Sequence, residues 1–218
     1  MGLLKLFRSV IMLFIFLLTW QLIVSSTGVP TYILPSPWLV GQALYQRADI
    51  ILMHAAITLI EILAGLAIGI LLGSLSALVL SYFQQTRKWL LPLLVISQAI
   101  PVFAIAPILV LWLGYGMISK IAMAVLIIYF PVTAAFFDGL RKTNPGYLDL
   151  AQTMNASRWA ILKYIRIPSA LGSFSSGLRV ATAVAPIGAI VGEWVGSSGG
   201  LGYLMLHANG RLQIDLMF

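Results

Sequence analysis

The strongest constraint on this chain is the length of its uncharged apolar runs. Val10 to Val24, Ile62 to Phe83, Trp89 to Leu113 and Ile121 to Phe137 contain no charged side chain. A helix rises about 1.5 Å per residue, so about 20 apolar residues cross a hydrocarbon layer about 30 Å thick. Backbone polar groups in such a layer are satisfied only by helices or closed barrels. Barrel strands read as alternating segments of about ten residues, whereas these runs are continuous. The fold class is therefore all-α, a polytopic transmembrane helical bundle. Composition agrees: 61% of the 218 residues are apolar and 9% charged, against about 25% charged in a soluble domain. A soluble enzyme is excluded.

Five spans are expected, with the start of a sixth. Val10 to Val24, preceded by Lys5 and Arg8, reads as an uncleaved first span, because Val24-Ser25-Ser26 is a poor signal-peptide cleavage site and further spans follow. The second and third are Ile62 to Phe83 and Trp89 to Leu113; the fourth, Ile121 to Phe137, is bounded by Lys120 and Asp138. Val180 to Gly192 alone is too short, so the fifth must begin near Ala170 and carry Arg179, snorkelling or facing protein. A sixth apolar run begins at Leu212 and is cut at Phe218, so the last span is expected to be missing.

The net charge of +7 gives topology rather than a nucleic-acid face, because the charges sit in clusters between spans. With the N-terminus inside, nine basic residues (Lys5, Arg8, Arg87, Lys88, Arg141, Lys142, Arg158, Lys163 and Arg166) face the cytoplasm, and three (Arg47, Lys120 and Arg211) lie outside. This asymmetry predicts a multi-pass inner-membrane protein whose longest hydrophilic segment, residues 138–169, is cytoplasmic. The whole of residues 1–218 reads as one transmembrane domain containing that loop. The chain has no cysteine, which excludes thiolate chemistry and a disulfide framework.

Asn144 to Pro168 reads as helix, turn, helix. Asn144-Pro145-Gly146 is a helix start, and Asn155 tolerates positive φ and can turn the chain. A second pattern runs from Ala156 to Ile167, and Pro168 is expected to end it. From amphipathicity alone this could equally be a surface helix lying on the membrane.

Asp149-Leu150-Ala151, Asn155 six positions after Asp149, and Ile165-Arg166-Ile167-Pro168 resemble the EAA loop of permease subunits of binding-protein-dependent ABC importers. Asp149, Ala151, Ile165 and Pro168 match that pattern; Leu150, Asn155 and Ile167 depart from it. The resemblance covers most of the chain and is greatest to the branch for nitrate, sulfonates, taurine and thiamine-precursor pyrimidines. Ala185 to Ala189, Gly192 to Gly196 and Gly199 to Tyr203 are most similar to the pyrimidine group. The resemblance implies coupling to a separate ATPase subunit through Asp149, Ala151, Asn155, Ala156, Arg158, Ile165 and Pro168. It also implies a second permease copy, in a homodimer, and a periplasmic or lipid-anchored solute-binding protein.

Other features are read from chemistry alone. Gly65, Gly69 and Gly73 share one face of the second span and permit close approach of another helix, within the subunit or across a dimer. Gln98 and Pro101 in the third span, and Thr182 and Pro186 in the fifth, are candidates for lining a path, because proline frees backbone carbonyls that a water-filled cavity can satisfy. Structural kinks fit equally well. Glu61 and His54 are too far apart on one helix for direct contact, and Glu193 beside Trp194 reads as an outer-interface marker. No phosphate loop, H-E-x-x-H or serine elbow occurs. The chain is read as no enzyme, with no cofactor or metal of its own and ATP hydrolysis in a partner. The rivals are an ion-gradient-driven secondary transporter, disfavoured by the absence of an internal repeat and of a charge-paired midplane site, and a membrane assembly factor.

Overall fold

The computed structural model describes the backbone of residues 2–218 and the side chains of residues 6–83 and 85–218. Among these, the helices in chain order are α1 (Gly2–Thr27), α2 (Pro37–Gln46), α3 (Ala48–Tyr82), α4 (Gln84–Ser97), α5 (Val102–Leu113), α6 (Met117–Arg141), α7 (Pro145–Thr153), α8 (Arg158–Ile161), α9 (Ile167–Gly196), α10 (Leu201–Gly210) and α11 (Ile214–Met217). A π turn, Leu162–Arg166, joins α8 to α9. Four helical stretches are long and apolar enough to cross a membrane: Leu6–Thr27, Ala48–Tyr82, Met117–Arg141 and Arg158–Gly196. A fifth span is reached if the bent pair α4 and α5 counts as one.

The expected third span is not one straight helix. Its two halves meet at 103°. Pro101 has no N–H with which to continue the ladder, and its ring drives the preceding residue out of the helical region. The last turn of α4 tightens accordingly, with the N–H of Ala99 donating to the Ile96 carbonyl at 3.0 Å. Pro168 is a second correction, since it does not end a helix. The N–H of Ile167 donates five residues back, to Leu162, and this wider turn lets Pro168 fall in the first turn of α9, where a missing N–H is no loss. The fifth span thus starts three residues before Ala170 and is continuous with the loop's second helix.

Two compact units divide the chain: residues 57–198, and residues 1–56 with 199–218. In the larger unit α6 is the central element. Apolar burial drives little association between helices already in lipid, so packing depends on close backbone approach, and small residues supply it. A Cβ added at Gly65 would lie 2.6 Å from the Ala124 Cβ, at Gly69 2.7 Å from Ile128 Cγ2, and at Gly73 3.0 Å from the Val132 Cβ. The glycine face of α3 therefore lies on α6 of the same chain. Gly177, Gly188 and Gly192 of α9 likewise seat against Ala135, Ala124 and Lys120 of α6. The resulting core holds Ala124, Ile128, Val132, Ala181 and Ala185. Nearer the loop, Phe136, Phe137, Leu140 and Leu162 close a second cluster.

In the smaller unit, α2 occupies a stretch to which the sequence reading gave no element. Ser36 caps it, accepting from the N–H of Leu39 at 3.4 Å, and Pro37 opens it. Trp20 donates from Nε1 to the Pro35 carbonyl at 3.1 Å and its ring lies 5.8 Å from that of Phe218. His54 accepts the N–H of Gly200 on Nδ1 at 3.0 Å, which places its proton on Nε2.

Candidate functional site

The hydrophilic hairpin between α6 and α9 is built by local rules. Asn144 Oδ1 accepts the N–H of Gly146 at 2.9 Å and Pro145 opens α7. Asn155 has φ 53°, a conformation asparagine adopts more readily than other non-glycine residues. The N–H of Asn155 donates to Gln152 and that of Ala156 to Ala151, both at 2.9 Å, which satisfies carbonyls that a helix end leaves open. Ser157 then caps α8, accepting from Ala160 at 3.2 Å.

This geometry divides the expected coupling residues. Ala151, Ile165 and Pro168 line one groove of about 350 Å³ together with Tyr147, Leu150, Met154, Tyr164 and Ser169. Its outer rim is apolar and exposed: Tyr147, Leu150, Met154 and Tyr164 all stand in solvent. Asp149 is exposed on α7, Asn155 and Ala156 form the turn, and Arg158 opens instead into a separate, polar cleft. The groove can grip an apolar knob of a partner, with Asp149 outside its lining.

Of the path candidates, Gln98 and Pro101 fall at the bend between α4 and α5, both exposed. Thr182 and Pro186 lie one turn apart on the exposed side of α9, and the Thr182 hydroxyl donates to its own helix at Leu178, 2.8 Å away. Arg179 lies one turn before Thr182 on the same exposed side. Ser175 and Ser176 continue that stripe, both donating to the Gly172 carbonyl. A polar stripe with a cation is a poor lipid face and a good cavity face. Sequence reasoning noted Arg179 only as a burden on the span.

A charge cluster was missed. Lys120 Nζ lies 3.1 Å from Glu61 Oε1, with Lys120 6% exposed and Glu61 fully shielded. Thr58, one turn before Glu61, donates its hydroxyl to Glu193 Oε1 at 2.6 Å. Glu193, near the end of α9, is 1% exposed and faces protein, and Lys120 lies within α6 rather than in a loop. Glu61 and Lys120, read separately in the sequence, are an ion pair between α3 and the first turn of α6. The available signal was that charges at span ends need partners, but helical periodicity does not say which helices meet. Among the described residues no three of His, Asp and Glu converge to hold a metal.

Long apolar helices locked through small residues, with a hydrophilic helical hairpin between the last two long ones, define a multi-pass membrane component. The chain belongs to the family of binding-protein-dependent transport system inner membrane components, whose profile matches residues 69–218. It is 57% identical to a probable ABC transporter permease protein of Haemophilus influenzae over 98% of this chain and 87% of that protein. It is 43% identical to the formylaminopyrimidine transport permease protein ThiX of Halalkalibacterium halodurans, covering 84% of this chain and 74% of the relative. The riboflavin transport system permease protein RibX of Chloroflexus aurantiacus is 34% identical, over 94% and 78%. The chain is a multi-pass inner-membrane permease component of an ABC importer.

Proposed function

We propose that this permease passes a small organic solute, a hydroxymethylpyrimidine-type thiamine precursor first and a sulfonate, taurine or nitrate otherwise. The observation that carries the solute reading is the identity of 43% to a permease named for a formylaminopyrimidine, supported by a second relative named for another nitrogen heterocycle. The exposed stripe of Arg179, Thr182 and Pro186 suits such a solute, since a guanidinium donates hydrogen bonds to ring nitrogens and carbonyls. Two copies of the chain face one another, and a periplasmic or lipid-anchored binding protein delivers the solute.

The N-terminus lies in the cytoplasm, so the hairpin of residues 138–169 faces a separate ATPase subunit. Its groove takes an apolar knob of that subunit, and Asp149, Ala151, Asn155, Ala156, Arg158, Ile165 and Pro168 form the coupling surface. ATP binding favours one arrangement of the ATPase pair, and only that differential affinity can bias the permease between outward and inward access. α7 and α8, anchored to α6 and α9 at either end, act as a rigid lever.

Two measurements test this. Calorimetry on the cognate binding protein should show hydroxymethylpyrimidine binding well ahead of taurine; the reverse order transfers the permease to the sulfonate group. Affinity purification should bring down an ATPase that is lost on Asp149→Lys or on deletion of residues 151–158. A gradient-driven reading gains one ground from the buried Glu61–Lys120 pair, because carriers use such charges. Uptake into vesicles that persists without ATP and follows a proton or sodium gradient would establish it instead.

A further inference from the structure

A polar cleft of about 460 Å³ lies where the end of α3 and the start of α4 meet the hairpin. Its lining includes Arg158 and Arg166 and no acidic residue, with Ser81, Gln85, Thr86 and Gln152 supplying further hydrogen-bonding groups. Among the described residues, Arg166 Nε and Ser81 Oγ are buried without a hydrogen-bond partner. Buried donors of this kind are rarely left unmet, and an arginine deprived of a counter-charge at such a place is costly. Both atoms belong to residues lining the same cleft. The fork of a guanidinium matches the oxygens of a phosphate, and two guanidiniums with neighbouring hydroxyls offer such a group donors from several sides.

The depth of the cleft is marked by aromatics. Tyr82 and Phe83 stand exposed at the end of the α3 span, their rings 4.9 Å apart, and Trp159 lies 6.5 Å from Tyr82. Exposed tyrosine and tryptophan at a span's end belong to the headgroup level of a bilayer. Basic pockets between membrane helices at that level bind the headgroups of acidic lipids.

We propose that this cleft is a binding site for a phosphate-type anion, held by Arg158 and Arg166 at the root of the hairpin, its source an acidic phospholipid headgroup or free phosphate. This goes beyond the transport reading and does not depend on the identity of the solute. An anion seated there ties the end of α3 to α8 and the π turn, the base on which the hairpin stands.

Native mass spectrometry of the full-length permease, alone and within the assembled importer, tests the site with three probes: phosphatidylglycerol, phosphatidylcholine and inorganic phosphate. Phosphatidylglycerol should be retained in preference to the zwitterionic lipid, and Arg158→Gln should weaken that retention about tenfold. Arg158 is exposed, so this variant spares the fold. Arg166→Lys keeps the charge but not the fork and should weaken retention as well. Competition by inorganic phosphate that depends on the same arginines assigns free phosphate as a source, and its absence assigns the lipid. Equal retention of the two lipids with no phosphate binding, or anion retention unchanged in both arginine variants, overturns the proposal.

Discussion

Lys120 of α6 reaches across to Glu61 of α3, ammonium to carboxylate at 3.1 Å, and neither side chain has more than a sliver of exposed surface. One turn earlier on α3, Thr58 holds Glu193 of α9 at 2.6 Å. Three helices are therefore tied by polar groups at one level, where α9 also approaches α6 closely: a Cβ at Gly192 would stand 3.0 Å from the Lys120 Cα.

Removing one partner of a shielded pair leaves a charge with no answer, which costs about 3–5 kcal/mol, whereas removing both is far milder. Lys120→Met should lower the unfolding temperature of the detergent-purified permease strongly, and Lys120→Met with Glu61→Gln should restore much of the loss. Additive losses in the double variant would show that the two side chains are not coupled.

Gly188 and Gly172 share α9 but not surroundings. A Cβ at Gly188 would lie 2.8 Å from the Ala124 Cα, a backbone atom that cannot step aside, while one at Gly172 meets nothing within 4 Å. Gly188→Ala should destabilise by about 1–3 kcal/mol and Gly172→Ala should not. Thermal unfolding of the two variants side by side decides it, and equal midpoints count against the observed helix contact.

The hairpin turn depends on one left-handed residue. With Asn155 at φ 53°, Asn155→Gly should preserve solute-stimulated ATPase activity of the importer. Asn155→Val should lose most of the stimulation, since a β-branched residue there is strained by about 1–2 kcal/mol. Membrane insertion should be normal in both. Full stimulation in the valine variant would mean that the turn is not a working part of the lever.

Because the chain has no cysteine, single cysteines report cleanly on sidedness. Leu150→Cys in the groove and Tyr45→Cys on α2 are both at exposed positions. An impermeant maleimide added to intact spheroplasts should label position 45, and position 150 should react only in inside-out vesicles. Labelling of position 150 from the periplasm would remove the hairpin from any cytoplasmic ATPase.

The same background tests the polar stripe on α9. Thr182→Cys should react with a water-soluble thiol reagent despite lying within a membrane span, and Arg179→Gln should reduce uptake without loss of ATPase association. Protection of position 182 from aqueous reagent would place that face against lipid or protein.

Much of the fold was legible in the chain because transmembrane helices are specified locally. Uncharged run length set the spans, Asn144-Pro145 set the start of α7, and Asn155 set the turn, since each depends on neighbours within a few residues. The same local rules misjudged Pro168, and at Pro101 they left a kink and a path lining equally open. A proline can bend a span, kink it or open it, and the surrounding hydrogen bonds decide which. α2 was passed over because a short amphipathic helix gives a weak signal between stronger ones.

By itself the sequence determined that this protein is a membrane bundle, where its long apolar helices run and which segment between them is hydrophilic, because hydropathy and backbone chemistry act over single segments. The tertiary structure alone decided that the glycine face of α3 meets α6, that Lys120 answers Glu61, that Glu193 turns inward to Thr58, and that Arg158 and Arg166 open into one cleft. Those facts concern pairs of residues distant in the chain, and helical periodicity fixes the face a side chain occupies without fixing which helix lies opposite.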